Sequence, residues 1–230
     1  SLWKEMLYMN LNKHMDYFNP LTDLKGTVHI IGCGAIGSTV AEMLTRMGIP
    51  DIRLYDFDMV TPHNIANQMF TNNQIHTAKT KSLKDLLLSI NPEVQIKTHD
   101  EGYTNEGLSG YIFLCVDNID LRRKIAEDNK FNPYIKAMFD FRMRLTDAQH
   151  YGADWANKES IKAFIASMQF SHEEAVEATP VSACGTTLNI ITTVRLIVSA
   201  GLSNFINFVK GKPIKKLILV DSENFFIESY

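Results

Sequence analysis

The feature that most constrains this chain is the run Gly32-Cys33-Gly34-Ala35-Ile36-Gly37, directly after the apolar stretch Val28-His29-Ile30-Ile31. A GxGxxG sequence between strand and helix turns the backbone tightly at the first glycine. It leaves room for phosphate at the second, and lets helix and strand approach at the third. Gly32, Gly34 and Gly37 take those places, and backbone N–H groups at the helix start, around Ala35 and Ile36, can hold phosphate charge. Ala35, Ile36, Val40, Leu44 and Met47 then form one helical stripe, which Gly48 and Pro50 end. Ile52 to Tyr55 reads as the next strand and closes on Asp56, 24 residues beyond Gly32, where an acid suits both ribose hydroxyls. The predicted unit is a nucleotide-binding β-α-β over residues 28–56. The motif alone does not select the nucleotide: NAD is the base-rate ligand, and a structural remnant is the bland alternative.

The rest of the chain predicts a Rossmann-like α/β fold, a mostly parallel sheet flanked by helices. Residues 2–19 read as a leading helix or arm, with Trp3, Met6, Leu7 and Leu11 at helical spacing. Residues 57–78 read as a long polar loop with one helical turn, a length that favours function. Helices are expected over Lys79 to Ile90, Asp120 to Asn129, Glu159 to Met168 and Thr186 to Ala200, the last ended by Gly201. Strands are expected over Val94 to Thr98, Tyr111 to Val116, Tyr134 to Phe139 and Leu145 to Tyr151. A hairpin joins Leu217 to Val220 with Phe225 to Ile227. Residues 170–183 look irregular. The expected organisation is an arm over residues 1–20 and one domain over 21–230, with a crossover or lid region at 142–183.

Composition narrows the function classes. With 230 residues, 45% of them hydrophobic, a substantial core can form without disulfides. The net charge of -3 gives no sign of general nucleic-acid binding, and Lys210, Lys212, Lys215 and Lys216 read as a solvated turn. Three cysteines, Cys33, Cys115 and Cys184, form no CxxC pair, which points to a reducing compartment. No run of 18 or more apolar residues and no secretory signal pattern is found, so a cytoplasmic protein without a membrane span is expected.

Several further segments are more specific than the glycine loop. Asp56-Phe57-Asp58-Met59-Val60 is followed by Asn64-Ile65-Ala66-Asn67-Gln68, then Lys79, Asn91-Pro92, Cys115-Val116-Asp117-Asn118 and Arg122. In this order they resemble the E1-like adenylating family, which includes ThiF, MoeB and HesA and the adenylation domains of ubiquitin-type activating enzymes. The resemblance covers about residues 24–140. It implies binding of ATP and magnesium, and adenylation of the C-terminal carboxylate of a ubiquitin-like protein or peptide, usually in a homodimer. On that resemblance Asp56 binds ribose, and Asn64, Asn67, Gln68 and Lys79 lie near the ATP phosphates. Asp117 is the magnesium aspartate, with Asp58 assisting the metal or holding the loop. The roles make physical sense: a lysine offsets phosphate charge, and magnesium often reaches protein through one or two carboxylates. The bland alternatives are a helix-start lysine at Lys79, turn caps at Asn64 and Gln68, a helix cap at Asp117 and a surface ion pair at Arg122.

The chain also departs from the family. Asn67 stands where many members carry arginine, and asparagine supplies neither the charge nor the donor fork. Residues 1–20 hold no arginine, leaving Lys4 and Lys13, with Arg46 a further candidate. Four zinc-binding cysteines are absent. Cys184 is a candidate acyl-accepting thiol, with a packed cysteine as the alternative; Cys33 is expected to shape the pocket and Cys115 to sit in the core. These departures keep open a nonenzymatic nucleotide-binding or scaffold subunit, beside the weaker reading of an NAD-dependent oxidoreductase.

Overall fold

The structure is a computed structural model that describes residues 9–178, 180–183 and 188–230. Its strands are β1 (Val28–Ile31), β2 (Asp51–Tyr55), β3 (Gln95–His99), β4 (Gly110–Leu114), β5 (Ile135–Met143), β6 (Asp147–Asp154), β7 (Leu217–Asp221) and β8 (Phe226–Ser229). They form one sheet in the order β3-β2-β1-β4-β5-β6-β7-β8. The first five are parallel neighbours, and β5 to β8 continue antiparallel. The expected mostly parallel sheet is therefore present, with an antiparallel wing.

Among the described residues, six α-helices cover the two faces: α1 (Ala35–Arg46), α2 (Lys79–Ile90), α3 (Ile119–Asp128), α4 (Lys158–Ala166), α5 (His172–Glu177) and α6 (Ile191–Val209). The period of two along the strands sorts the core. Tyr111, Phe113 and Cys115 join Val40, Leu44, Leu83 and Phe205 beneath α1, α2 and α6, whereas Ile112 and Leu114 join Ile119, Ile125, Ile161 and Phe164 beneath α3 and α4.

Three expectations are corrected. Residues 12–17 form turns rather than helix; Asn10 and Asn19 side chains accept from the N–H groups of Asn12 and Leu21, bonds that compete with helix. Residues 1–8 of the expected arm lie outside the described residues. The segment taken as irregular contains α5, closed by a capping box in which Ser171 and Glu174 exchange side-chain and backbone bonds. Gly201 does not end the last helix but lies inside α6. A Cβ there would stand 2.3 Å from the Phe141 ring and 2.8 Å from His150 Nδ1, so glycine lets the helix settle onto the sheet. At 19 residues and mean hydropathy 1.2 over its best window, α6 is long and apolar enough to cross a membrane by length and composition. In this fold Val194, Ile197, Val198, Leu202 and Phe205 are in the core, and Asn204 bonds Lys215.

Candidate active site

The crossovers bring the carboxyl ends of the parallel strands to one edge of the sheet, where open α/β sheets bind ligands. A cleft of about 1070 Å³ runs along that edge. Asp56 follows β2, Gly32 and Gly34 follow β1, Asp117 follows β4 and Arg144 follows β5, and all of them line it.

The glycine loop has separable parts. Gly32 has φ +98°, and a Cβ on it would lie 2.7 Å from the backbone of Cys115 and Val116. A Cβ on Gly37 would lie 1.8 Å from the Gly32 carbonyl oxygen, so Gly37 serves helix–strand contact. Gly34 faces open space: a Cβ on it would meet only Gln68 Nε2, at 4.0 Å. No side chain caps the start of α1, leaving its first N–H groups free for an anion. Gly37→Ala is accordingly expected to destabilise the fold by about 3 kcal/mol. Gly34→Ala is expected to leave the melting temperature nearly unchanged while weakening nucleotide binding, because the added methyl enters the space left for phosphate. Thermal melts and nucleotide titration of both variants check this, and equal melting temperatures would contradict the division of roles.

Asp56 is tied into the loop. Its carboxylate accepts from the Cys33 N–H at 2.6 Å and the Asp58 N–H at 2.8 Å. Burial pushes its pKa up, against these two donors and the Lys79 charge, which lower it. Lys79 begins α2, is 6% exposed, and donates from Nζ to Asp58 Oδ2 at 2.8 Å. Its N–H donates to the Asp58 carbonyl. One chain of bonds thus links the glycine loop, Asp56, Asp58 and Lys79. Gln68 also lines the cleft, with its Oε1 buried and unbonded among the described residues. Asp117 is exposed at the cleft, and among the described residues its carboxylate has no partner. The helix-capping role belongs instead to Asn118, which accepts from the Leu121 N–H at 3.0 Å.

Other residues lie differently. Asn64 does not line the cleft; its side-chain oxygen accepts from Thr61 and closes a 3₁₀ turn over Pro62–Ala66. Asn67 is also absent from the lining and donates to Asn189, which does line it. His63, Lys13 and Arg46 are exposed and off the cleft, and Arg46 pairs with Glu42. Cys33 and Cys115 are buried, and burial raises both thiol pKa values, so neither is a ready thiolate. Cys184 lies outside the described residues.

Sequence reasoning missed the network on the far wall. Asp140 is fully buried in β5; its Oδ1 accepts from Arg122 Nη1 and its Oδ2 from Arg142 Nε, both at 2.7 Å. Arg122 also donates to the carbonyls of Val116 and Phe141, so it is no surface ion pair. Arg142 donates to Ser167, and its guanidinium lies 4.1 Å from the Tyr151 ring centre. The readable signal was one acid inside the apolar run Ile135 to Phe141, since a buried charge requires partners.

An α/β sheet with a glycine loop, an acid after the second strand and a lysine-bearing helix over one cleft defines the nucleotide-binding class. The ThiF family model matches residues 22–140, more than half of the chain, and the chain belongs to the ThiF family. It is 33% identical over 116 residues to ubiquitin-like modifier-activating enzyme 5 of Caenorhabditis elegans, covering 43% of this chain and 28% of that protein. Against the same-named protein of Dictyostelium discoideum it is 39% identical over 134 residues, covering 50% and 35%. The chain thus spans about a third of the length of these curated relatives. Among solved structures, E. coli MccB with AMPCPP and MccA superposes with TM-score 0.68 at 18% identity, covering 92% of this chain and 65% of MccB. PaaA superposes with TM-score 0.64 at 18% identity, covering 90% and 64%. These two likenesses support the E1-like ThiF fold.

Proposed function

We propose that this chain uses ATP to adenylate the C-terminal carboxylate of a ubiquitin-like protein or peptide. The observation that carries the reading is the convergence of Asp56, the glycine loop, Lys79 and Asp117 on one cleft from four separate stretches of sequence. The donor set fits ATP. Free N–H groups and the buried lysine suit phosphate, Gly34 leaves the space, and Asp56 retains lone pairs for ribose hydroxyls. Asp117, a carboxylate open to the cleft and without a partner among the described residues, would hold magnesium, which when bound neutralises phosphate charge. ThiF membership favours ATP over NAD at this loop. The names of the modifier-activating relatives, and the MccA bound by MccB, support a protein or peptide substrate. Pairing into a homodimer is part of the proposal.

The reaction joins a carboxylate oxygen to the α-phosphorus of ATP and breaks that phosphorus's bond to pyrophosphate. The chain's own contribution is electrostatic: Lys79, itself 6% exposed, offsets charge on the phosphates. A binding subunit without catalysis is the second reading, favoured by Asn67 being engaged with Asn189 rather than facing the cleft.

The deciding experiment supplies ATP, magnesium, labelled pyrophosphate, ubiquitin-like proteins and synthetic peptides ending in glycine. Label entering ATP only when a free carboxylate is present is the expected result. Tight ATP binding with no exchange from any of them would leave the binding-subunit reading.

A further inference from the structure

A cleft that gathers ATP and a carboxylate must offset several negative charges, and its own wall adds Asp56, Asp58, Glu101, Asp117, Asp147 and Glu174. Among the described residues, four Lys or Arg side chains line the wall: Lys79, paired with half-exposed Asp58, faces the phosphates, while Arg122 and Arg142 are committed to buried Asp140. Arg144 is the remaining one. It sits just beyond the end of β5 in the turn to β6, where its N–H donates to the Asp147 carbonyl. Its guanidinium has no hydrogen bond or ion pair among the described residues, although it lines the cleft.

Position along the sheet edge suggests which anion it meets. The strand order is β2, β1, β4, β5, so Asp56, the glycine loop, Asp117 and Arg144 follow one another across the edge. Lys79 is bound to the residues after β2, at the opposite side of the loop from Arg144. Displacement at phosphorus sets the attacking and leaving oxygens roughly in line. On the adenylation reading Lys79 stands beside the departing phosphates, which sets the nucleophile on the β4 and β5 side.

We propose that Arg144 receives the carboxylate of the acyl substrate and holds it across the α-phosphorus from Lys79, an inference that rests on the adenylation reading above. A guanidinium fork fits a carboxylate with two parallel N–H donors. One carboxylate oxygen then forms the bond to phosphorus, the phosphorus–oxygen bond to pyrophosphate breaks, and its electron pair leaves with pyrophosphate. The carboxylate arrives ionised, so Arg144 moves no proton. It also supplies cationic charge in a chain whose Asn67 has none.

The test compares wild type, Arg144→Ala and Arg144→Lys in ATP–pyrophosphate exchange with ubiquitin-like proteins and peptide acids ending in glycine, varying acyl substrate and ATP separately. Arg144→Ala is expected to raise KM for the acyl substrate at least tenfold and leave KM for ATP within twofold, with Arg144→Lys intermediate. An unchanged acyl-substrate KM, or a rise confined to ATP, would overturn this assignment while leaving adenylation standing. If wild type binds ATP but exchanges with no carboxylate, the adenylation reading fails and the assignment falls with it.

Discussion

Replacing Lys79 by methionine is expected to lower carboxylate-dependent ATP–pyrophosphate exchange by about 10²- to 10³-fold, the range for losing one preorganised electrostatic contact. The lysine is 6% exposed, so neither water nor a mobile surface side chain can replace its charge. Methionine keeps much of the stem and removes only the charge. The partner left behind, Asp58, has a side chain 52% exposed. Solvent can therefore take up that carboxylate, and the expected loss of stability is within about 1 kcal/mol, as for partly exposed pairs. The fall in activity with a retained melting temperature separates a functional lysine from one that merely starts a helix. Exchange above a tenth of the wild-type rate would remove Lys79 from the reacting site.

The second large effect is on stability. Asp140→Ala leaves two guanidinium groups facing a buried gap where one carboxylate balanced both. Breaking a buried charge network by removing one member costs about 3–5 kcal/mol. For a chain of this size that corresponds to a fall of roughly 10 °C in melting temperature. The effect also reaches the cleft, because Arg122 holds the Val116 carbonyl next to Asp117 and Arg142 holds Ser167 at the end of α4. Combining Asp140→Ala with Arg122→Met is expected to destabilise less than the sum of the single changes, since one of the stranded charges is gone. A melting temperature within 2 °C of wild type for Asp140→Ala, or strict additivity in the pair, would contradict the network.

The two residues differ in how far sequence reveals them. Lys79 could be found because it closes a polar loop at a helix start, in order with Asp56 and Asp117. Asp140 was visible only as an acid in an apolar run, without any sign of its partners. Arg122 lies 18 residues before it, on α3. Asn64 shows the opposite difficulty: its place in the family pattern suggests the phosphates, whereas its immediate partner is Thr61. Such a turn bond fixes the loop's shape and lies outside the cleft.

Gly201 shows why local pattern places the end of this helix too early. A glycine after an apolar helical run is a common stop, and nothing local distinguishes a stop from a close approach. The distinction depends on Phe141 and His150, paired across β5 and β6, against which α6 packs. The Ser171 to Glu174 box is the contrary case: a local signal was present, but the acid-rich composition around it obscured α5.

By itself, the sequence determined the β-α-β unit, the turn at Gly32, the helix–strand approach at Gly37, and Asp56 at the second strand's end, because backbone sterics and side-chain periodicity act within a few residues. Tertiary structure alone decided that Asp140 holds two arginines, that Asn67 turns to Asn189, and that Arg144 shares a cleft with the glycine loop. These pairings join residues far apart in the chain. Local pattern carries no record of them until parallel crossovers bring the strand ends to one edge.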